Sequence, residues 1–86
     1  MIVIEPKFNK GDYIINHSSG DIAKVKGITK KGYYQFEAYY SGMSKELKDL
    51  KNLTFELQVN YQKFYELCND EEKEKLEKIV KEKGGN

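Results

Sequence analysis

The stretch Tyr33-Tyr34-Gln35-Phe36-Glu37-Ala38-Tyr39-Tyr40 decides the fold class. Its aromatic content and short length predict a β-strand whose side chains alternate between two faces. Tyr34, Phe36, Ala38 and Tyr40 share one face, which predicts core. Tyr33, Gln35, Glu37 and Tyr39 share the other, a mixed face expected to meet water or a partner. Turn residues bracket the strand: Thr29-Lys30-Lys31-Gly32 before it and Ser41-Gly42 after it.

Working upstream, Ile22 to Ile28 predicts a second strand. Its inward residues, Val25 and Ile28, are three apart rather than two, and Gly27 between them suggests a β-bulge. His17-Ser18-Ser19-Gly20-Asp21 reads as a hairpin loop and Tyr13-Ile14-Ile15-Asn16 as the strand before it. Phe8-Asn9-Lys10-Gly11-Asp12 is a turn. Met1-Ile2-Val3-Ile4, stopped by Pro6, reads as an edge strand or a tail.

Working downstream, Lys45-Glu46-Leu47 predicts a short strand and Asp49-Leu50-Lys51-Asn52 a helical turn. Leu53, Phe55, Leu57 and Val59 alternate, which favours a closing strand. Leu57, Tyr61, Phe64, Tyr65 and Cys68 also fall at helical spacing. A strand to about Gln58 and a helix from about Asn60 satisfy both patterns. Asn69-Asp70-Glu71-Glu72 has the form of a capping box, acids crowd the first turn, and Lys follows in the last. Glu71–Lys75, Glu74–Lys78 and Glu77–Lys81 are i, i+4 pairs, and Gly84-Gly85 ends the helix. Its apolar stripe is narrow: Leu76, Ile79 and Val80. A lone helix of this length is marginal in water, so it must dock, pair with another chain, or fray. A homodimer through this stripe is one expectation.

These elements predict an α+β chain. A small antiparallel β-barrel of about five strands fills residues 1–58, and a helical appendage fills 59–86, as one structural unit. The order Phe8-Asn9-Lys10-Gly11-Asp12-Tyr13-Ile14, then Gly20-Asp21-Ile22, then Val25 and Ile28, then Tyr33-Tyr34, resembles the opening of SH3-like small β-barrels. It is similar to small uncharacterised barrel proteins of AT-rich bacteria and their phages. It is more loosely similar to the Tudor-like domain of CarD-like transcription factors and to KOW-type modules. The likeness covers roughly residues 5–58, where Phe55-Glu56-Leu57 sits as the closing strand. CarD-like domains use this barrel to bind RNA polymerase, and KOW modules bind RNA, ribosomal or polymerase partners. The resemblance therefore implies a non-enzymatic interaction module with a protein partner, or alternatively a nucleic-acid-associated or RNA-polymerase-associated barrel. CarD-like proteins carry a larger multi-helix region after the barrel, and only one or two short helices fit here.

Composition narrows the chemistry. The chain has 86 residues, 15 basic against 14 acidic, one His and one Cys. All 15 basic residues are Lys, so the planar bidentate fork of Arg is missing. The abundance of Lys, Asn, Ile and Tyr suggests an AT-rich genome and a bacterial or mobile-element source. A net charge of +1 creates no global pull toward nucleic acid or anionic lipid. The longest apolar run, Met1–Ile4, falls far short of the ~18 residues of a membrane span. A single Cys excludes an internal disulfide and fits a reducing cytoplasm. One His and one Cys offer too few such ligands for a metal site, and no cofactor is implied.

His17 reads as a solvent-exposed turn residue, because Ser18, Ser19 and Asp21 beside it in one loop do not make triad geometry. Cys68 reads as a small buried hydrophobe ahead of the Asn69 cap. Asp70, Glu71, Glu72 and Glu74 lack the spacing of a calcium loop. The best binding surface that can be drawn joins Lys24, Lys26, Lys30 and Lys31 to Tyr33 and Tyr39. Tyr beside Lys suits a protein interface or the stacking and phosphate contacts of a nucleic-acid site.

Overall fold

A computed structural model describes residues 5–48 and 56–83, with the side chain of Glu56 excepted. It is α+β, an open antiparallel sheet followed by a C-terminal helix. The strands are β1 (Tyr13–Asn16), β2 (Asp21–Ile28), β3 (Tyr33–Ser41), β4 (Glu46–Leu47), β5 (Glu56–Gln58) and β6 (Glu66–Leu67). A 3-10 helix (Val59–Phe64) joins β5 to β6, and α1 (Asp70–Lys83) ends the described chain. The sheet order is β4-β3-β2-β1-β6, with β5 also on β3. Met1–Ile4, the expected helical turn 49–52, Leu53 and Phe55 of the closing strand, and Gly84-Gly85 lie outside the described residues.

The strand count needs correction. About five strands were expected, and the sheet has six, because β6 returns to pair with β1 through Ile14↔Leu67 and Ile15↔Glu66. The sheet thus extends past residue 58, into the segment expected to be helical. As expected, the strand ends at Gln58 and a helix follows, in 3-10 form over Val59–Phe64. Val59 and Tyr65 at its two ends are both buried, and they tie this crossing segment to the sheet.

The alternation of β3 also breaks. Lys24 pairs with Ala38, but Val25 pairs with Phe36, which leaves Glu37 extra on β3. Val25 to Gly27 on β2 then spans only Phe36 to Gln35, which leaves Lys26 extra. The expected irregularity near Gly27 is present, although Ile28 beyond it is exposed rather than inward. The bulge at Glu37 resets the faces of β3. Tyr34, Phe36 and Tyr39 join Phe8, Ile14, Ala23, Val25, Val59 and Tyr65 in one core. Tyr40 joins Ile15, Ile22 and Leu76 in a second core, with Ala38 packed against it. The four residues expected on a single face are thus divided between two.

The second core is where α1 docks. Leu76 is 0% exposed, and Ile79 packs partly against the same cluster. Lysines flank this contact: Lys73 Nζ lies 5.2 Å from the Tyr13 ring and Lys75 Nζ 5.4 Å from the Tyr40 ring. Their aliphatic stems can cover apolar surface while the ammonium groups stay in water. The capping box forms as expected. Asn69 N donates to Glu72 Oε1 at 2.9 Å, and Glu72 N donates to Asn69 Oδ1 at 2.8 Å.

Candidate functional site

The expected Lys/Tyr face does not assemble as one surface. Tyr39 is only 6% exposed, because the Glu37 bulge turns it into the first core. Its hydroxyl donates to Asp21 Oδ2 at 2.7 Å, while Asp21 Oδ1 accepts from Gly42 N at 2.8 Å. Burial, then the bond to Asp21, pushes the Tyr39 pKa far above the ordinary phenol range. Burial likewise raises that of Tyr65. Tyr39 is a structural residue that bridges β3 to the start of β2.

Lys24 is also engaged. Its Nζ lies 3.1 Å from Glu37 Oε2 and 5.5 Å from the Tyr13 ring. The hydrogen bond it donates to the Glu37 carboxylate holds its pKa above the ordinary value. Tyr33 is half-buried, and its hydroxyl accepts from Gln58 Nε2 at 2.9 Å. Lys26, Lys30 and Lys31 are exposed, the last two on the β2–β3 turn. Lys30 lies six positions beyond Lys24, in the turn past the end of β2, at most ~20 Å away by the ~3.3 Å rise of extended chain. A basic tip therefore remains, without the Tyr39 stacking surface.

The structure instead exposes an aromatic pair that the sequence placed on a helical stripe. Tyr61 and Phe64 stack at 6.2 Å between centroids, 25° between planes. They are 46% and 55% exposed. The 3-10 geometry explains the pairing, since three residues per turn bring i and i+3 into line. Polar Asn60, Gln62 and Lys63 around an i, i+3 aromatic pair are the one sequence signal for this arrangement. Lys63 Nζ lies 5.3 Å from the Phe64 ring.

Beside Phe64 opens a recess of about 350 Å³, lined by Asn16, His17, Ser18, Lys63, Phe64 and Glu66. It lies where the β1–β2 loop meets the chain entering β6. His17 Nε2 is 3.6 Å from Glu72 Oε2 and 3.9 Å from Glu66 Oε2, so the protonated imidazole would be within ion-pair reach of both. No family model, curated protein or solved structure matches this chain.

Chemically, the recess offers an imidazole, an ammonium, a carboxylate and an aromatic wall. Among the described residues no group of three His, Cys, Asp or Glu could hold a metal ion. Cys68 is half-buried, and burial, then the Glu72 charge, pushes its thiol pKa up to about 11. That keeps the thiol protonated and poorly nucleophilic at neutral pH. No described helix is long and apolar enough to cross a membrane.

The helix stripe needs its own correction. Leu76 is spent on this chain's own sheet and Ile79 partly so, because an apolar face must be covered and the sheet covers it. Only Val80 of the three is exposed, at 36%.

Proposed function

We propose that this chain is a non-enzymatic protein-interaction module built on an SH3-like barrel. The fold reading is supported by connectivity: three antiparallel strands in sequence, then a strand and a 3-10 helix that leads back to pair with the first strand. The functional reading is carried by the exposed Tyr61–Phe64 stack beside the recess at His17. Aromatic side chains held rigid and left in water are the usual anchors of protein interfaces. A polar rim of His17, Lys63 and Glu66 suits recognition of a polypeptide, which offers both charges and backbone groups.

The test is a Tyr61→Ala, Phe64→Ala double variant with unchanged circular dichroism. The wild type immobilised in an extract of its host should retain a defined protein in 0.5 M salt, about the range where charge-only contacts are screened. The double variant should lose it. Retention of the same protein by the variant, or no specific retention by the wild type, overturns the reading. Binding of oligonucleotides that falls steeply with salt would instead favour the basic tip at Lys26, Lys30 and Lys31.

A further inference from the structure

The second surface that the fold leaves incomplete lies along α1, away from the aromatic stack. Of the 14 residues in this helix only Leu76 is fully buried. Beside it runs a groove of about 260 Å³. Tyr13, Ala38, Leu76 and Val80 supply its apolar lining, and Glu77 and Lys81 stand on its helical rim. The opposite rim carries Lys24 and Glu37, which are paired with each other. Exposed apolar surface here is centred on Val80.

We infer that this groove docks a second copy of the chain, with the two α1 helices antiparallel about a two-fold axis near Ile79. The charge pattern selects that occupant. Lys73, Glu77 and Val80 follow i, i+4, i+7 spacing, so they form one stripe along the groove side of the helix. In an antiparallel pair about residue 79, Glu77 of each copy meets Lys81 of the other. The two contacts are equivalent, as an isologous interface requires. The i, i+4 pair Glu77–Lys81 of each helix thereby joins its image in a four-charge network, and the two Val80 side chains lie within one turn of each other across the seam.

The patch is far smaller than a standard interface, so dimerisation should be weak, with a Kd on the order of 1 mM. Sedimentation equilibrium from about 0.05 to 2 mM reads it directly, a range chosen to bracket that Kd. The mass should rise with concentration from 10.1 kDa toward twice that value. Val80→Lys should remain at the monomer mass. Glu77→Lys and Lys81→Glu should each weaken association roughly fivefold or more, and the double swap should restore it. The Tyr61→Ala, Phe64→Ala variant should dimerise like the wild type, which separates this surface from the one above. A constant 10.1 kDa mass in the wild type overturns the inference. So does a Val80→Lys protein that still dimerises, or a double swap that fails to recover.

Discussion

The hydroxyl of Tyr34 donates to Oε1 of Gln62, and the two side chains together hold the segment that precedes β1. Lys7 N donates to both, at 3.1 Å to the Tyr34 hydroxyl and 2.9 Å to Gln62 Oε1. Phe8 N donates to the same hydroxyl at 3.3 Å, and Gln62 Nε2 donates to the Glu5 carbonyl at 2.8 Å. The clamp holds Phe8 in the first core against Tyr34, with ring centroids 5.7 Å apart. Side chains thus satisfy backbone donors of a segment that makes no strand ladder.

Removing either half of this clamp should therefore cost stability. Gln62→Ala is expected to lose about 1–3 kcal/mol, since it leaves the Tyr34 hydroxyl and Lys7 N with fewer partners. Tyr34→Phe should lose a similar amount, and the double variant less than the sum, because the two act on the same donors. Urea denaturation of the three variants measures the coupling. Strict additivity would show that the clamp is not a unit.

Gly42 should tolerate no side chain. A Cβ there would lie 2.0 Å from Ser19 O and 2.6 Å from the Gly20 carbonyl carbon. These contacts are with backbone, which cannot swing away. Gly42→Ala should destabilise by roughly 2–3 kcal/mol, the upper range for overpacking. Gly27→Ala is the control, because nothing lies within 4 Å of the added Cβ. It should be neutral or stabilising by up to about 1 kcal/mol. Thermal melts of the pair decide the matter.

Leu76→Ala should remove the anchor of α1. The cavity left between Ile15, Ile22 and Tyr40 should cost about 2–5 kcal/mol. Asn69→Ala should cost about 1 kcal/mol through loss of the cap. Hydrogen exchange should show amides 73–83 opening in the Leu76 variant before those of β2 and β3. Simultaneous opening would mean that the helix and sheet form one cooperative unit.

Cys68 should be slow to react. Its thiol, raised from 9.0 to about 11, carries roughly a hundredfold less thiolate at pH 8 than the unfolded chain. Labelling by an aromatic disulfide should accelerate sharply in urea. The neutral thiol is the form that folding favours, so this contribution to stability is full below pH 9. It is lost as pH rises toward 11. Tyr39 and Tyr65 are shifted in the same direction, so Cys68→Ala should flatten only part of the alkaline fall in stability.

The local elements follow from short-range sequence alone. The turn residues Gly11, Gly20 and Gly32 all adopt positive φ, as their positions imply. Strand β1 occupies Tyr13–Asn16 as read, and the Asn69–Glu72 capping box starts α1. These features depend on backbone preferences and contacts within four residues, which the local sequence contains. Which face each residue takes depends on long-range packing. One bulged residue, Glu37, sends Tyr39 inward, and so removes it from the surface that strict alternation would build. A second decision concerned the crossing segment. Helical spacing grouped Tyr61 and Phe64 with Tyr65, but Tyr65 is buried while the pair remains outside. That segment, a 3-10 helix, carries the chain from β5 to the strand that pairs with β1. Its path is a constraint between strands far apart in sequence, and no window of neighbouring residues records it.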